Sequence, residues 1–277
     1  MKSIAFKLSS GVGAFVCRTR PNFIADKLLN QLRIFLKYSD NTNFDFESNG
    51  ERRVLEAVRA ISPRCIFDVG ANEGHWSLMA RELFPEAEVH AFEIVPSTFD
   101  ALLSNTSCDK RIISNPVGLS DIPGEVIVHC SKSSSTIATA NKIEGMKYHE
   151  TIYDDKIVCR VTTGADYCNI NGVDSVDFLK IDVEGMDFKV LKGFEDLLGA
   201  VKIIQFEYGI FNIASRALLL DVFNLLEPRG FLIGKIYPKY VEFFDYHFSR
   251  EDFGGHNYIA VKKEQHDLLA KLRLSSS

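Results

Sequence analysis

The chain has 277 residues, 46% hydrophobic and 25% charged. That is the ordinary mix of a soluble globular protein, with enough apolar material for a full core and no need of a disulfide or metal staple. No apolar run approaches the roughly 20 residues that span a bilayer, which excludes an integral membrane protein, and a net charge of −5 argues against a generally basic surface, so no nucleic-acid partner is expected.

The charge is uneven. Residues 1–40 hold seven Lys/Arg against Asp26 and Asp40, a net +5, leaving −10 for the remainder. Residues 22–38 place Ile24, Leu28, Leu32, Phe35 and Leu36 at helical spacing. The polar stretch SDNTNFDFESNG then breaks the pattern. The expected organisation is a basic helical extension over 1–47 and a main domain over 48–277. The extension is expected to pack on the domain with its basic side chains solvated; peripheral contact with anionic lipid or a partner is the alternative. The opening residues resemble a signal peptide only weakly, because Lys7 interrupts the apolar stretch and Arg18 and Arg20 stand where small residues are expected. The six cysteines include no CxxC pair and no zinc-like spacing. Read as reduced thiols, they point to a reducing compartment, and a cytoplasmic location is expected.

Residues 51–60 read as a helix ended by Pro63. RCIFDVG is a short apolar strand, and a helix follows over 74–83. Glu88–Phe92 is a strand, Ser97–Asn105 a helix, Arg111–Val117 a strand and Glu125–Cys130 another after a Pro-Gly turn. Residues 131–156 read as a long polar loop, a lid, a binding loop or a disordered segment, with Ser133, Ser134, Ser135 and Thr136 near its start. Strands at Lys156–Val161, Val176–Ile181, Val201–Phe206, Phe231–Ile233 and Tyr258–Val261 then alternate with helices at Ala165–Asn169, up to about Leu198, and at Ala214–Leu226, before a helix-like tail. Repeated strand–helix units imply an α/β, doubly wound, mainly parallel sheet with helices on both faces.

Four apolar strands end in a carboxylate: Asp68, Glu93, Asp182 and Glu207. Ligands of such sheets bind outside the carboxyl ends of the strands. The turn Asp68-Val-Gly70-Ala-Asn72-Glu73-Gly74 resembles a dinucleotide fingerprint, but Asn72 and His75 stand where its second and third glycines belong. Asn72 and Glu73 crowd and repel a pyrophosphate. A ligand without phosphates and with positive charge fits better, and S-adenosylmethionine is one. Asp68 is placed to balance its positive groups, the amides at the helix start to take its carboxylate, and Glu93, one βα unit on, to receive both ribose hydroxyls.

DVGANEGHWS, AFEIVP, VGLSDIPG and VDFLKIDVEGMDFKVLKGF resemble the FkbM family of S-adenosylmethionine-dependent methyltransferases. The resemblance runs from about Cys65 to Gly230, with Asp187 where the family commonly has Glu. It implies a seven-stranded Rossmann-like methyltransferase fold and methyl transfer, often to hydroxyl oxygens of sugars or natural products, so a small-molecule or glycan acceptor is the expected partner. By position it implies that Asp68, Gly70, Asn72 and Gly74 form the cofactor turn and Glu93 holds the ribose. Ser120 and Asp121 would sit near the adenine or serve as ordinary turn residues.

A hydroxyl acceptor needs a base. Asp182 and Glu184, two apart in what reads as an extended turn, are expected to point the same way toward the acceptor. His256, in the glycine loop GGHNYIA, is a further candidate base, and Trp76 and Tyr208 are candidate cleft aromatics. Oxygen ligands at Asp182, Glu184 and Glu207 suit magnesium or calcium, but no fixed metal spacing is present and no metal is assigned. Lys180, inside an apolar strand, is expected to have a structural role, either pairing with one of the acids or snorkelling to the edge. Two other functions compete: an NAD-dependent oxidoreductase, disfavoured by Asn72 and His75, and a non-catalytic adaptor that keeps the cofactor fold.

Overall fold

The computed structural model describes residues 4–130, 138–141, 143, 153 and 155–273. Contacts part the chain into two units, Met1–Asn43 and Phe44–Ser277. The first contains α1 (Ile4–Arg18), which the sequence pattern does not announce, and α2 (Phe23–Ser39). Asn22 opens α2 by accepting the amides of Ile24 and Ala25 through its side chain, satisfying donors that have no acceptor inside the helix. No helix among the described residues is long and apolar enough to cross a membrane.

The second unit begins with α3 (Glu51–Val58). It continues through β1 (Cys65–Val69), α4 (His75–Leu83), β2 (Glu88–Phe92), α5 (Pro96–Thr106) and β3 (Ile112–Asn115). A smaller part follows: β4 (Gly118–Ser120), β5 (Gly124–Cys130) and β6 (Asp155–Thr163). Alternation resumes with α6 (Gly164–Asn171), β7 (Phe178–Ile181), α7 (Asp187–Lys192), β8 (Ile203–Tyr208), α8 (Phe211–Ser215) and α9 (Leu219–Leu226). The chain then forms β9 (Phe231–Tyr237), β10 (Tyr240–Phe243), β11 (His256–Lys262) and α10 (His266–Leu272).

The main sheet has the order β10-β9-β11-β8-β7-β1-β2-β3. The five strands from β8 to β3 are parallel, and β11 runs antiparallel to both β8 and β9. This is the expected doubly wound α/β sheet. It carries eight strands where seven were implied, because β10 folds back on β9 as an extra edge hairpin. The sheet's two faces carry separate cores. Ile66, Phe178 and Ile203 pack with Leu55, Met79 and Leu268 of α3, α4 and α10. Phe67, Leu179 and Ile204 pack with Tyr167, Val190 and Phe223 of α6, α7 and α9. The alternation within each strand produces this division.

Two other departures have local causes. The strand expected over 111–117 ends at Asn115, and β4 follows it in a different sheet, since Pro116 has no N–H for the ladder. The helix expected over 214–226 breaks at Arg216, whose φ of 57° is left-handed. The strands β4, β6 and β5 form the second, three-stranded sheet.

Candidate active site

The parallel strands β2, β1, β7 and β8 end on one edge. The strand order reverses beside β1, where the chain first builds outward to β2 and β3 and later returns to put β7 on the other flank. Such a switch point leaves a crevice. A cavity of about 640 Å³ lies there, within the ordinary size of a small-molecule site.

One part of its wall is apolar. Leu119 of β4, Val126 and Val128 of β5 and Val161 of β6 come from the small sheet, with Ile94 and Val95 from the turn after β2. Ala138 and Ala140 also line it, held by a bridge between Thr139 and His129 and by the Thr139 hydroxyl, which donates to the Glu184 carbonyl at 3.0 Å. Of the expected loop, Ala138 and Ala140 thus stand at the cavity. Ser133, Ser134, Ser135 and Thr136 lie outside the described residues.

The glycine turn forms the middle. The amides of Gly70 and Ala71 both donate to the Phe92 carbonyl, at 3.0 and 2.9 Å. The Asn72 amide donates to Glu93 Oε2 at 3.0 Å, and the Val95 amide to Oε1 at 2.8 Å. Glu93 is buried in the wall, and burial pushes its carboxyl up against the pull of these amides. The amides of Gly70, Ala71 and Asn72 are therefore engaged, and the orphan amides of the first turn of α4 remain for an anionic group.

The other part of the wall is acidic: Glu51, Asp182, Glu184 and Glu207, with Lys180 the one lysine or arginine in the wall among the described residues. Lys180 lies between Asp68, at 3.2 Å, and Asp182, at 3.4 Å. Burial lowers its ammonium, but Asp68, Asp182 and Glu51 together outweigh this and hold it raised. Burial, reinforced by Asp182 and Asp187, lifts Glu184 to about 8. Asp187 is lifted to about 7 by burial and Asp182, and Glu207 rises well above the carboxylate range from burial and its three acidic neighbours.

These shifts carry a sign. A carboxyl raised by folding stabilises fully below its unfolded value, and that stability is lost as pH rises through the folded value. The window runs from 3.8 to about 7 for Asp187 and from 4.5 to about 8 for Glu184. Asp187 Oδ1 accepts the Glu207 amide, while Oδ2 is buried without a partner among the described residues. Asp187→Asn removes the charge and keeps the shape. In thermal melts at pH 8 the variant should melt higher than the parent, by about 2–4 °C per kcal/mol recovered. The gain should shrink as pH falls toward 5; an offset independent of pH would contradict the assignment.

Of the expected site residues, Gly70, Asn72, Glu93, Asp182 and Glu184 line the cavity. Glu184 does so from a left-handed turn, φ 51°, and not from the extended one expected. The others stand elsewhere. Asp68 lies one residue inside β1, fully buried, accepting from Ser77 Oγ at 2.6 Å and from Lys180. It braces the site from behind. Gly74, φ 86°, starts α4, where a β-carbon would meet Leu102 Cδ1 at 2.6 Å. Ser120 and Asp121 are outside the wall: Asp121 pairs with Lys192 at 2.7 Å and the Ser120 carbonyl packs on Gly193, so they tie β4 to the end of α7. His256 is not in a loop but is the first residue of β11. Its neighbour Asn257 lines the cavity, and strand alternation turns adjacent side chains to opposite faces. Trp76 lines the cavity; Tyr208 is buried outside it and donates to Glu251.

Sequence reasoning missed Glu51 and Asn257. The acid at 51 reads only as a residue of a helix's first turn, and no local signal marks either position.

The model of a family described as the methyltransferase FkbM domain matches residues 68–233. The 2-O-methyltransferase NoeI of Sinorhizobium fredii is 25% identical over 199 residues, 69% of this chain and 81% of that protein. The hexuronic acid methyltransferase AglP of Haloferax volcanii is 29% identical over 197 residues, 67% of this chain and 77% of that one. Among solved structures, methyltransferase FkbM of Methylobacillus flagellatus KT aligns with a TM-score of 0.47 at 15% identity, covering 72% of this chain and 44% of that chain.

Proposed function

This chain belongs to the methyltransferase FkbM family, and on that premise we propose that it binds S-adenosylmethionine in the cavity and methylates a hydroxyl oxygen of a sugar or small natural-product-like acceptor. The observation that carries the proposal is the division of the cavity wall. It is apolar at the small sheet, has a fixed carboxylate at Glu93, and is acidic at β7 and β8. A purine, a ribose and a cation require these in that order. The named activities of NoeI and AglP, transfer to a 2-oxygen and to a hexuronic acid, support an oxygen on a sugar as the acceptor.

S-adenosylmethionine supplies an electrophilic methyl carbon on a positively charged sulfur. Glu93 is fixed by a backbone amide on each oxygen, and the acceptor capacity it keeps serves the two ribose hydroxyls. The apolar wall takes the purine face. Asp182, fixed by Lys180, orients the acceptor hydroxyl. Glu184 takes its proton, since a base with a value of about 8 is matched to that task near neutral pH. Phe44 and Phe46 also line the cavity. The six cysteines are free, which fits a reducing, cytoplasmic setting.

Two charge-assisted hydrogen bonds at about 1.5 kcal/mol or more each put the expected loss of S-adenosylhomocysteine affinity in Glu93→Ala at about 100-fold. A loss under threefold in calorimetry would remove Glu93 from the ribose. The activity itself is tested by incubating the protein with S-[methyl-14C]adenosylmethionine and a panel of neutral sugars, uronic acids and polyols. Label should appear on a hydroxyl oxygen by mass spectrometry; label only on nitrogen or carbon would overturn the oxygen assignment.

A further inference from the structure

Three cavity-lining carboxylates have no part in methyl transfer as derived: Glu51, Glu73 and Glu207. Glu51 stands at the first position of α3, ahead of the segment that matches the family, and is 5% exposed. Asn49 and Asn257 donate to its Oε1 at 2.8 and 3.0 Å, and Gln205 donates to Oε2 at 2.6 Å. All three contacts are amide donors, the set that suits an ionised carboxylate, and they fix its orientation. A carboxylate offers about four acceptor positions. Oε1 uses two and Oε2 one, so one remains on Oε2. Beside it, Gln205 Oε1 is buried without a donor among the described residues. This corner of the site is short of hydrogen-bond donors and of positive charge. The hydrogen bonds printed for Lys180 go to Asp68 and Asp182, and its single charge, which also acts on Glu51 through space, is shared with those two acids.

Position selects the cation. Glu93 follows β2, whereas Glu51 is tied to β8 through Gln205 and to β11 through Asn257. Between β2 and β8 lie β1 and β7, so the two carboxylates belong to opposite flanks of the switch point. A ligand held by its ribose at Glu93 reaches the far flank only with its amino-acid arm. The sulfonium has no N–H to fill a lone pair; an ammonium has three.

We propose that Glu51 binds the α-ammonium group of the donor's amino-acid arm. This rests on the reading of the cavity as a donor site, and the test separates the two. Three nucleosides are titrated by calorimetry: S-adenosylhomocysteine, its deaminated analogue, and 5′-methylthioadenosine, which lacks the arm. The unaltered protein should prefer S-adenosylhomocysteine to the deaminated analogue by about tenfold to a hundredfold, the range for a charge-assisted bond. Glu51→Gln should erase that preference and leave 5′-methylthioadenosine within twofold. Glu51→Asp keeps the charge on a shorter arm and should fall between. If Glu51→Gln does not fold, the unaltered protein and Glu51→Asp decide alone. Absence of a preference for the ammonium in the unaltered protein overturns the proposal. So does a preference that survives Glu51→Gln, an equal loss for 5′-methylthioadenosine, or an effect confined to the acceptor's KM. Failure of the unaltered protein to bind any of the three overturns the donor reading itself.

Discussion

Gly70→Ala is expected to abolish donor binding and to lower the melting temperature by roughly 6–20 °C, about 3–5 kcal/mol at 2–4 °C each. Gly70 has a φ of 83°, which a β-carbon disfavours by about 1 kcal/mol. The larger cost is steric. A β-carbon built there runs into the backbone carbonyl of Asp182, and the neighbouring strand ends are stitched together by the Asp182 amide donating to the Val69 carbonyl at 2.9 Å. Backbone on both sides leaves no side chain to swing away, so relief requires parting the turns after β1 and β7, the floor of the cavity. Gly172 supplies the control. Its φ of 67° is also left-handed, but nothing lies within 4 Å of an added β-carbon. Gly172→Ala should cost only the conformational part, about 1 kcal/mol, and leave donor affinity unchanged. Melting curves and S-adenosylhomocysteine titrations of the two variants check this. Equal behaviour of the two would show that the approach of the turns is not what the site depends on.

Glu184→Gln is expected to reduce turnover by about 10²–10⁴-fold, the usual contribution of a general base, with S-adenosylhomocysteine affinity within a few-fold of the parent. The substitution keeps the shape, and the φ of 51° at this position costs glutamine no more than glutamate. The backbone bond from Thr139 to the Glu184 carbonyl is untouched. In the parent, kcat/KM for the acceptor should rise with pH as Glu184 loses its proton. Burial and the charges of Asp182 and Asp187 set that limb at about 8 in the free protein, and the positive charge of a bound donor draws it lower. In Glu184→Gln the limb should vanish. A variant with full turnover, or with the same limb, would move the base to Asp182 or Glu207.

The pattern of the sequence carries most of the sheet because its signals are local. An apolar run closed by Asp-Val-Gly and another closed by Asp-Val-Glu-Gly mark strand ends directly. Strands β4 and β10, three and four residues long, are too short to show a period. Side-chain placement was less legible because a strand reverses face at every residue. Asp68 and His256 are both close to the site in sequence, yet the first lies behind the wall and the second is on the other side of β11 from Asn257. Glu51 was illegible for a different reason. Its partners Gln205 and Asn257 lie 154 and 206 residues away, and only the folded sheet assembles them.

A cavity shaped for an adenosyl donor makes calorimetric titration of the purified chain with S-adenosylhomocysteine, repeated with NAD, the decisive measurement. One equivalent of S-adenosylhomocysteine should bind per chain, weakened in Glu93→Ala, while NAD gives no heat. Saturable binding of NAD with none of S-adenosylhomocysteine would contradict the donor reading of the cavity.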